Sequence, residues 1–267
     1  MHPHILFSPI DQGVALVTLS HPGKFNAMSR SMWRDLRAGF VQLQNTGGVR
    51  CVLVRGEGGH FCAGGDISEY AGFRFEEHSL RAFHEDEVWG GLQAMLDCDV
   101  PIVAQIDGNC MGAGVEIASC CDIRIASAAA RFGAPIARLG FPMAPREAQL
   151  VMREAGALTA REMLLEAAVL DAPLMLQRGF VNRVVDAGQC AAQAWASARR
   201  IAALAPAAAR MNKQTIRALN KPLATEGRAH DAMYSIADVV QGAYRYADSP
   251  EHREGIQAFV EKRQPDF

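Results

Sequence analysis

The stretch Ile102-Val103-Ala104-Gln105-Ile106, followed shortly by Gly108-Asn109-Cys110-Met111-Gly112-Ala113-Gly114-Val115-Glu116, decides how this chain is read. Four apolar residues around a single glutamine predict a strand buried on both faces. The glycines behind it predict a tight turn, with a helix beginning near Gly112. Backbone amides at such a turn are unhindered, and the helix dipole favours negative charge beside them. Upstream, residues 49–54 read as another buried strand, and Phe61-Cys62-Ala63-Gly64-Gly65-Asp66-Ile67 is a second glycine-rich turn. Two amides converging on one carbonyl oxygen would stabilise an enolate or a tetrahedral oxyanion. Removing one such donor typically costs about 10²–10³ in rate.

The pattern extends in both directions. Residues 5–7 and 14–19 are β-rich runs flanking Asp11-Gln12-Gly13, which predicts a hairpin. Ser29 can cap a helix whose Met32, Leu36, Phe40 and Leu43 share one face, and Gly47-Gly48 stops it. Ile123 and Ile125 mark a further strand, and Phe180 to Val185 another. Strands alternating with helices predict an α/β fold of parallel β-α-β units. After about Gln189 the strands cease. Residues 195–205, 206–220, 222–246 and 250–262 read as four helices, with prolines at or near three of the starts. Met233, Ile236, Ala237, Val240 and Tyr244 make an apolar stripe on the third, as do Ile256, Phe259 and Val260 on the last. The expected division is a body over residues 1–190 and a helical region over 191–267.

The 267 residues carry a formal charge of −2 and are 49% hydrophobic and 21% charged. That is ordinary globular composition. It gives no electrostatic reason to expect nucleic acid or an anionic membrane as partner. No window approaches eighteen consecutive apolar residues. The amino-terminal residues lack a basic and apolar leader pattern. Seven cysteines without regular spacing make a poor disulfide framework and read as buried thiols in a reducing compartment. A cytoplasmic protein is expected.

Other chemistries fit poorly. Gly112-Ala113-Gly114 lacks the third glycine of a dinucleotide loop, because Ile117 stands there. His84-Glu85 lacks the second histidine of a zinc helix, because Val88 stands there. Neither a Walker phosphate loop, structural-zinc spacing nor a serine nucleophile elbow is present.

With these motifs in order, the sequence resembles the crotonase superfamily, the enoyl-CoA hydratase/isomerase family. The resemblance spans nearly the whole chain: His21-Pro22-Gly23-Lys24-Phe25-Asn26-Ala27-Met28, both glycine turns, Cys121-Asp122-Ile123-Arg124-Ile125-Ala126, Arg131-Phe132-Gly133, and finally Ser249, Glu254-Gly255 and Ala258-Phe259-Val260-Glu261-Lys262-Arg263. It implies a spiral of β-β-α turns with a carboxy-terminal helical trimerisation region, forming homotrimers or dimers of trimers. It implies an acyl-CoA thioester substrate, as in fatty acid metabolism, with no tightly bound cofactor beyond the coenzyme A of the substrate itself. The amides of Gly65 and Ala113 match the oxyanion-hole pair. Lys24, Phe25, Ala63, Asp66 and Ile67 match the coenzyme A channel. Phe259 and Lys262 match positions that reach the nucleotide of a neighbouring subunit.

Glu116 matches the first of two catalytic glutamates. At the second, in Phe132-Gly133-Ala134-Pro135-Ile136, this chain carries Ile136. The loop from Gly140 to Gln149 also departs from the family pattern, and Glu147 or Arg146 offers a substitute that sequence does not place. Losing a general acid or base typically costs about 10²–10⁴. The expected function is therefore acyl-CoA processing, as a lyase or isomerase, through an enolate held in an oxyanion hole. A decarboxylase, hydrolase or isomerase of a specialised acyl-CoA is the alternative, or an inactive acyl-CoA-binding oligomer.

Plainer roles also have to be weighed. Asp66 reads as a cap or brace and Asp122 as a strand-start residue. His60 reads as a solvated loop histidine, with a coenzyme A phosphate contact as the sharper option. His84, Glu85, Asp86 and Glu87 read as a solvated helix face. Residues 69–80 can cover the substrate. Tyr244 and Tyr246 read as core or interface aromatics, and Phe259 has a core reading of its own.

Overall fold

The computed structural model describes residues 2–220 and 236–267. Strand β1 (His4–Phe7) pairs antiparallel with β2 (Val14–Ser20), as the hairpin signal requires. Helix α1 (Arg30–Asn45) begins where Ser29 accepts a hydrogen bond from the Met32 amide at 3.2 Å, and it buries Met32, Trp33, Leu36, Phe40 and Leu43. Strand β3 (Cys51–Gly56) follows. Beyond the first glycine turn come a 3₁₀ turn (Ile67–Gly72) and α2 (Glu77–Ala82). A π-helical turn (Phe83–Val88) then runs into α3 (Trp89–Asp97).

A unit then appears twice: a long strand, a short strand, and a helical segment. The first is β4 (Ile102–Ile106), β5 (Asn109–Met111) and α4 (Ala113–Ser119). The second is β6 (Ile123–Ser127), β7 (Arg131–Gly133) and a 3₁₀ turn (Pro135–Leu139) leading to α5 (Pro145–Ala155). After α6 (Ala157–Leu165), β8 (Val169–Asp171) and α7 (Ala172–Gln177), β9 (Arg183–Val185) completes the sheets. The long strands form one six-stranded sheet in the order β1-β2-β3-β4-β6-β9, parallel apart from β1, and the short ones a second sheet, β5-β7-β8. The spiral of β-β-α turns is thus present; Gly64-Gly65 lies between β3 and the 3₁₀ turn, and Gly112 between the short strand β5 and α4.

Helix α8 (Cys190–Ala202) lies against the large sheet, where Cys190, Ala194, Ala198 and Ala202 pack on Val14, Cys51, Leu53, Val103 and Ile125. The opposite face carries the main core, including Val52, Val54, Ile102 and Ala104 with α1 and α3 residues. Strands apolar on both faces need this double cover. All seven cysteines are free and buried. Asp122 does brace a strand start, accepting the Ile102 amide at 2.6 Å and pairing with Lys213 at 2.8 Å.

The remaining helices are α9 (Pro206–Leu219), α10 (Ile236–Gly242) and α11 (Pro250–Glu261). Three expectations need correction. Phe180 and Val181 are not strand residues: their amides close the end of α7 by donating to the Met175 carbonyl, and Phe180 packs edge-on to Phe132. The helix expected from Trp195 starts earlier, at Cys190. Phe259 is not core within this chain but 84% exposed, because α11 buries almost nothing of its own apolar stripe; Tyr244, read as core or interface, is 80% exposed and follows the end of α10 at Gly242. Met233 and the expected helix start at Pro222 lie outside the described residues. Among the described residues, no helix is long and apolar enough to cross a membrane.

Candidate active site

The two glycine turns meet. Isolated parallel bridges join Met28 to Gly65 and Cys62 to Cys110. In the first, the Met28 amide donates to the Gly64 carbonyl and the Asp66 amide to the Met28 carbonyl, both at 2.8 Å. That pattern uses the groups on either side of Gly65 and leaves the Gly65 N–H out of the ladder. Gly112, at φ +47°, turns the chain from β5 into α4 in a conformation few other residues adopt. Ala113 then opens the helix, so its amide has no intrahelical acceptor. Among the described residues neither the Gly65 nor the Ala113 amide finds one elsewhere. Both residues line a cavity of about 240 Å³.

Glu116 lines the same cavity from the first turn of α4 and is 6% exposed. Burial, and then the negative charge of Glu147, push its carboxyl well above the usual range. Glu147 is the residue that sequence could not place. Pro145 starts α5, which carries Glu147 on its first turn into the cavity, 3% exposed. His84 Nδ1 lies 2.8 Å from Glu147 Oε1, a contact in which an ionised carboxylate accepts. Arg146 turns the other way, to Glu85 at 3.3 Å. Ile136 supplies an apolar wall of the cavity.

The solvated-face reading of residues 84–87 is therefore wrong for His84. In an α-helix Phe83 and Val88 would stand about 140° apart. The wider π turn lets both point inward, and both are buried with His84 beside them in the cavity lining. Glu87 is also engaged, paired with Arg30. Trp33, Phe83 and Phe141 complete much of the apolar wall, while Tyr70 and Arg74 bring polar groups from the stretch read as a covering loop. Burial pushes the Tyr70 phenol up to about 12.

The other expected site residues are distributed around the first turn. Ala63 and Ile67 line the cavity. The Ala63 amide donates to the Phe25 carbonyl at 3.0 Å, and Phe25 itself is exposed. Lys24 reaches both Asp66 oxygens, at 2.8 and 2.9 Å, while Asp66 caps the 3₁₀ turn by accepting from the Ser68 amide. Burial works against the Asp66 charge, but the hydrogen bonds from Lys24 and Ser68 together outweigh it and hold the carboxyl below its usual range. His60 is not a free loop residue: its Nδ1 accepts the Asn109 amide at 3.1 Å, tying one turn to the other. Burial pushes the Cys62 thiol up to about 12 and Cys110 well above its ordinary value, so neither is a reactive thiolate. Phe259 and Lys262, at the end of α11, are not among the residues lining this cavity.

The structure thus defines an α/β spiral with two glycine turns apposed beside a buried carboxyl in one cavity, and comparison with known proteins identifies its class. The profile of the enoyl-CoA hydratase/isomerase family matches residues 9–267. A Magnetospirillum magneticum structure described as an enoyl-CoA hydratase/carnithine racemase superposes with a TM-score of 0.90 at 34% identity, covering 98% of this chain and 94% of that one. The short-chain-enoyl-CoA hydratase of Clostridium acetobutylicum is 30% identical over 94% of this chain and 92% of its own length. A Mycobacterium bovis protein named as a probable enoyl-CoA hydratase is also 30% identical, over 96% of this chain and 95% of its own. The chain belongs to the enoyl-CoA hydratase/isomerase family of the crotonase superfamily and is an acyl-CoA-processing enzyme of that family.

Proposed function

We propose that this enzyme adds water to, or removes it from, an acyl-CoA thioester, using Glu116 and Glu147 as its two carboxyl groups. The thioester oxygen sits between the amides of Gly65 and Ala113, where charge develops as the enolate forms. Glu116, whose buried surroundings favour the neutral carboxyl, delivers the proton to the α-carbon. Glu147 takes the proton of the attacking water, and His84 holds it in orientation. Ile136 then needs no replacement at its own position, because the second carboxylate enters from α5. Coenzyme A arrives as part of the substrate, along Lys24, Phe25, Ala63, Asp66 and Ile67, and no tightly bound cofactor takes part.

The observation that carries this reading is the second buried carboxyl, facing the same cavity as the first and held by a histidine. It is tested by following loss of enoyl absorbance from crotonyl-CoA with wild type, Glu116→Gln and Glu147→Gln. Each variant is expected to lose about 10²–10⁴ in kcat while still binding thioester. Full activity in Glu147→Gln would remove Glu147 from the chemistry and favour an isomerase or decarboxylase resting on Glu116 alone.

We further propose that α10 and α11 form the oligomer contact of a trimer or dimer of trimers, with Phe259 and Lys262 meeting the coenzyme A of a neighbouring subunit. The exposed Val240, Tyr244, Phe259 and Val260 support this, since an apolar face of that kind is normally covered. Sedimentation equilibrium tests it, and a monomer would overturn it.

A further inference from the structure

We propose that Arg74 is a recognition site for an anionic carboxylate on the acyl chain, so that the substrate is the coenzyme A thioester of a dicarboxylic acid. This rests on the acyl-CoA reading of the cavity and narrows it. Arg74 follows the 3₁₀ turn Ile67–Gly72, its amide donating to the Tyr70 carbonyl at 2.9 Å. Its guanidinium carbon lies 3.8 Å from the centre of the Phe141 ring and 4.4 Å from that of Tyr70. Those rings meet edge to face, 6.0 Å apart. The guanidinium is thus seated on two aromatic faces and lines the cavity that holds Glu116.

What it lacks is an anion. Among the described residues no carboxylate lies within ion-pair distance of Arg74, and none of its five N–H donors has an acceptor. Glu147, the nearest candidate by chemistry, is held by His84 instead. A half-buried guanidinium with its donors unspent, fixed by stacking on two aromatic rings of the wall, matches the planar fork of a carboxylate. Its neighbours in the wall, Phe141 and Leu139, belong to the stretch between Ile136 and α5. The Arg74 charge thus faces the cavity beside residues of that stretch, whereas Lys24 is committed to Asp66.

The test compares binding of two saturated thioesters, butyryl-CoA and glutaryl-CoA, which differ by a terminal carboxylate on the same chain direction. Neither can be hydrated, so calorimetric affinity is read without any dependence on acid/base chemistry. Wild type is expected to prefer glutaryl-CoA by about 10- to 100-fold, the range of a hydrogen bond to a charged group. In Arg74→Met that preference should vanish while butyryl-CoA affinity is kept, which also reports an intact fold; Arg74→Lys should keep part of it. Equal affinities in wild type would overturn the proposal alone. An equal loss for both ligands in Arg74→Met would overturn it too, placing the arginine on coenzyme A or in the fold. Failure of wild type to bind either thioester would instead overturn the acyl-CoA reading of the cavity, and this one with it.

Discussion

His84 and Glu147 stand 63 positions apart in the chain, yet the imidazole Nδ1 and the carboxylate Oε1 are 2.8 Å apart at the wall of the cavity. A neighbouring pair, Glu85 with Arg146 at 3.3 Å, joins the same π turn to the same helix start. The two contacts run in opposite senses along their segments, so the turn and α5 are locked in register. His84→Ala is expected to lower kcat by about tenfold or more with KM little changed, because Glu147 remains but loses its fixed orientation. His84→Asn, which can still donate to the carboxylate, should recover part of the rate. A rate unchanged in His84→Ala would show that Glu147 needs no support.

Glu116 should leave its mark on stability as a function of pH. Its folded carboxyl titrates well above its unfolded one, because burial and the Glu147 charge both oppose ionisation. Below the unfolded value both states are protonated and nothing is lost. Above it the unfolded chain releases a proton that the folded chain keeps, so stability falls as pH rises, by up to about 1.4 kcal/mol per unit. Glu116→Gln is expected to flatten this slope between pH 5 and 8 and to be more stable than wild type at the upper end. Thermal melts of both proteins across that range decide it, and parallel curves would count against the assignment.

Position 65 accepts only glycine while Tyr70 keeps its hydroxyl. A Cβ built on Gly65 would overlap the Tyr70 hydroxyl oxygen, whereas the next ring atom lies 3.2 Å away. Gly65→Ala should therefore cost about 1–3 kcal/mol through overpacking. In a Tyr70→Phe background the same change should cost clearly less. Chemical denaturation of the four proteins in the cycle measures the coupling, and additive costs would mean that the strain lies elsewhere.

Asn26 holds the segment ahead of the first glycine turn. Its side-chain amide donates to the carbonyls of Glu57 at 2.8 Å and His60 at 2.7 Å, and its oxygen accepts the His21 amide at 3.1 Å. It also sits at φ +63°, a region asparagine tolerates better than most residues. Asn26→Ala would leave three backbone groups without their partner and is expected to cost about 2–4 kcal/mol. A midpoint shift in urea smaller than that of a typical surface change would contradict this.

Much of the fold can be read from local signals. Ser29 caps α1 because its hydroxyl meets a nearby amide, and residues 102–106 are buried because both faces of their sheet are covered. Those are short-range facts. Strands β7 and β8, of three residues each, carry too little pattern to be seen alone and exist by pairing with each other and with β5. The site divides in the same way. Gly65, Ala113 and Glu116 lie in neighbouring sequence motifs. Glu147 and His84 become partners only through the packing of α5 on the π turn, and Phe141 joins Arg74 and Tyr70 only through the same long-range packing. The exposed stripes of α10 and α11 are legible as apolar, but what they meet is not encoded in their spacing.

The π turn at Phe83–Val88 gives the enzyme an unusual kind of vulnerability. A π turn holds one residue more than the α turn it replaces, so the direction of His84 is stored in a count rather than in a side chain. Deleting either Glu85 or Asp86, both exposed, would remove nothing from the cavity wall and yet rotate what precedes it by about 100°. No substitution scan would reveal this, because every single replacement preserves the count. Length variation in this segment would thus re-aim the His84 imidazole away from Glu147 without altering the identity of any residue lining the cavity.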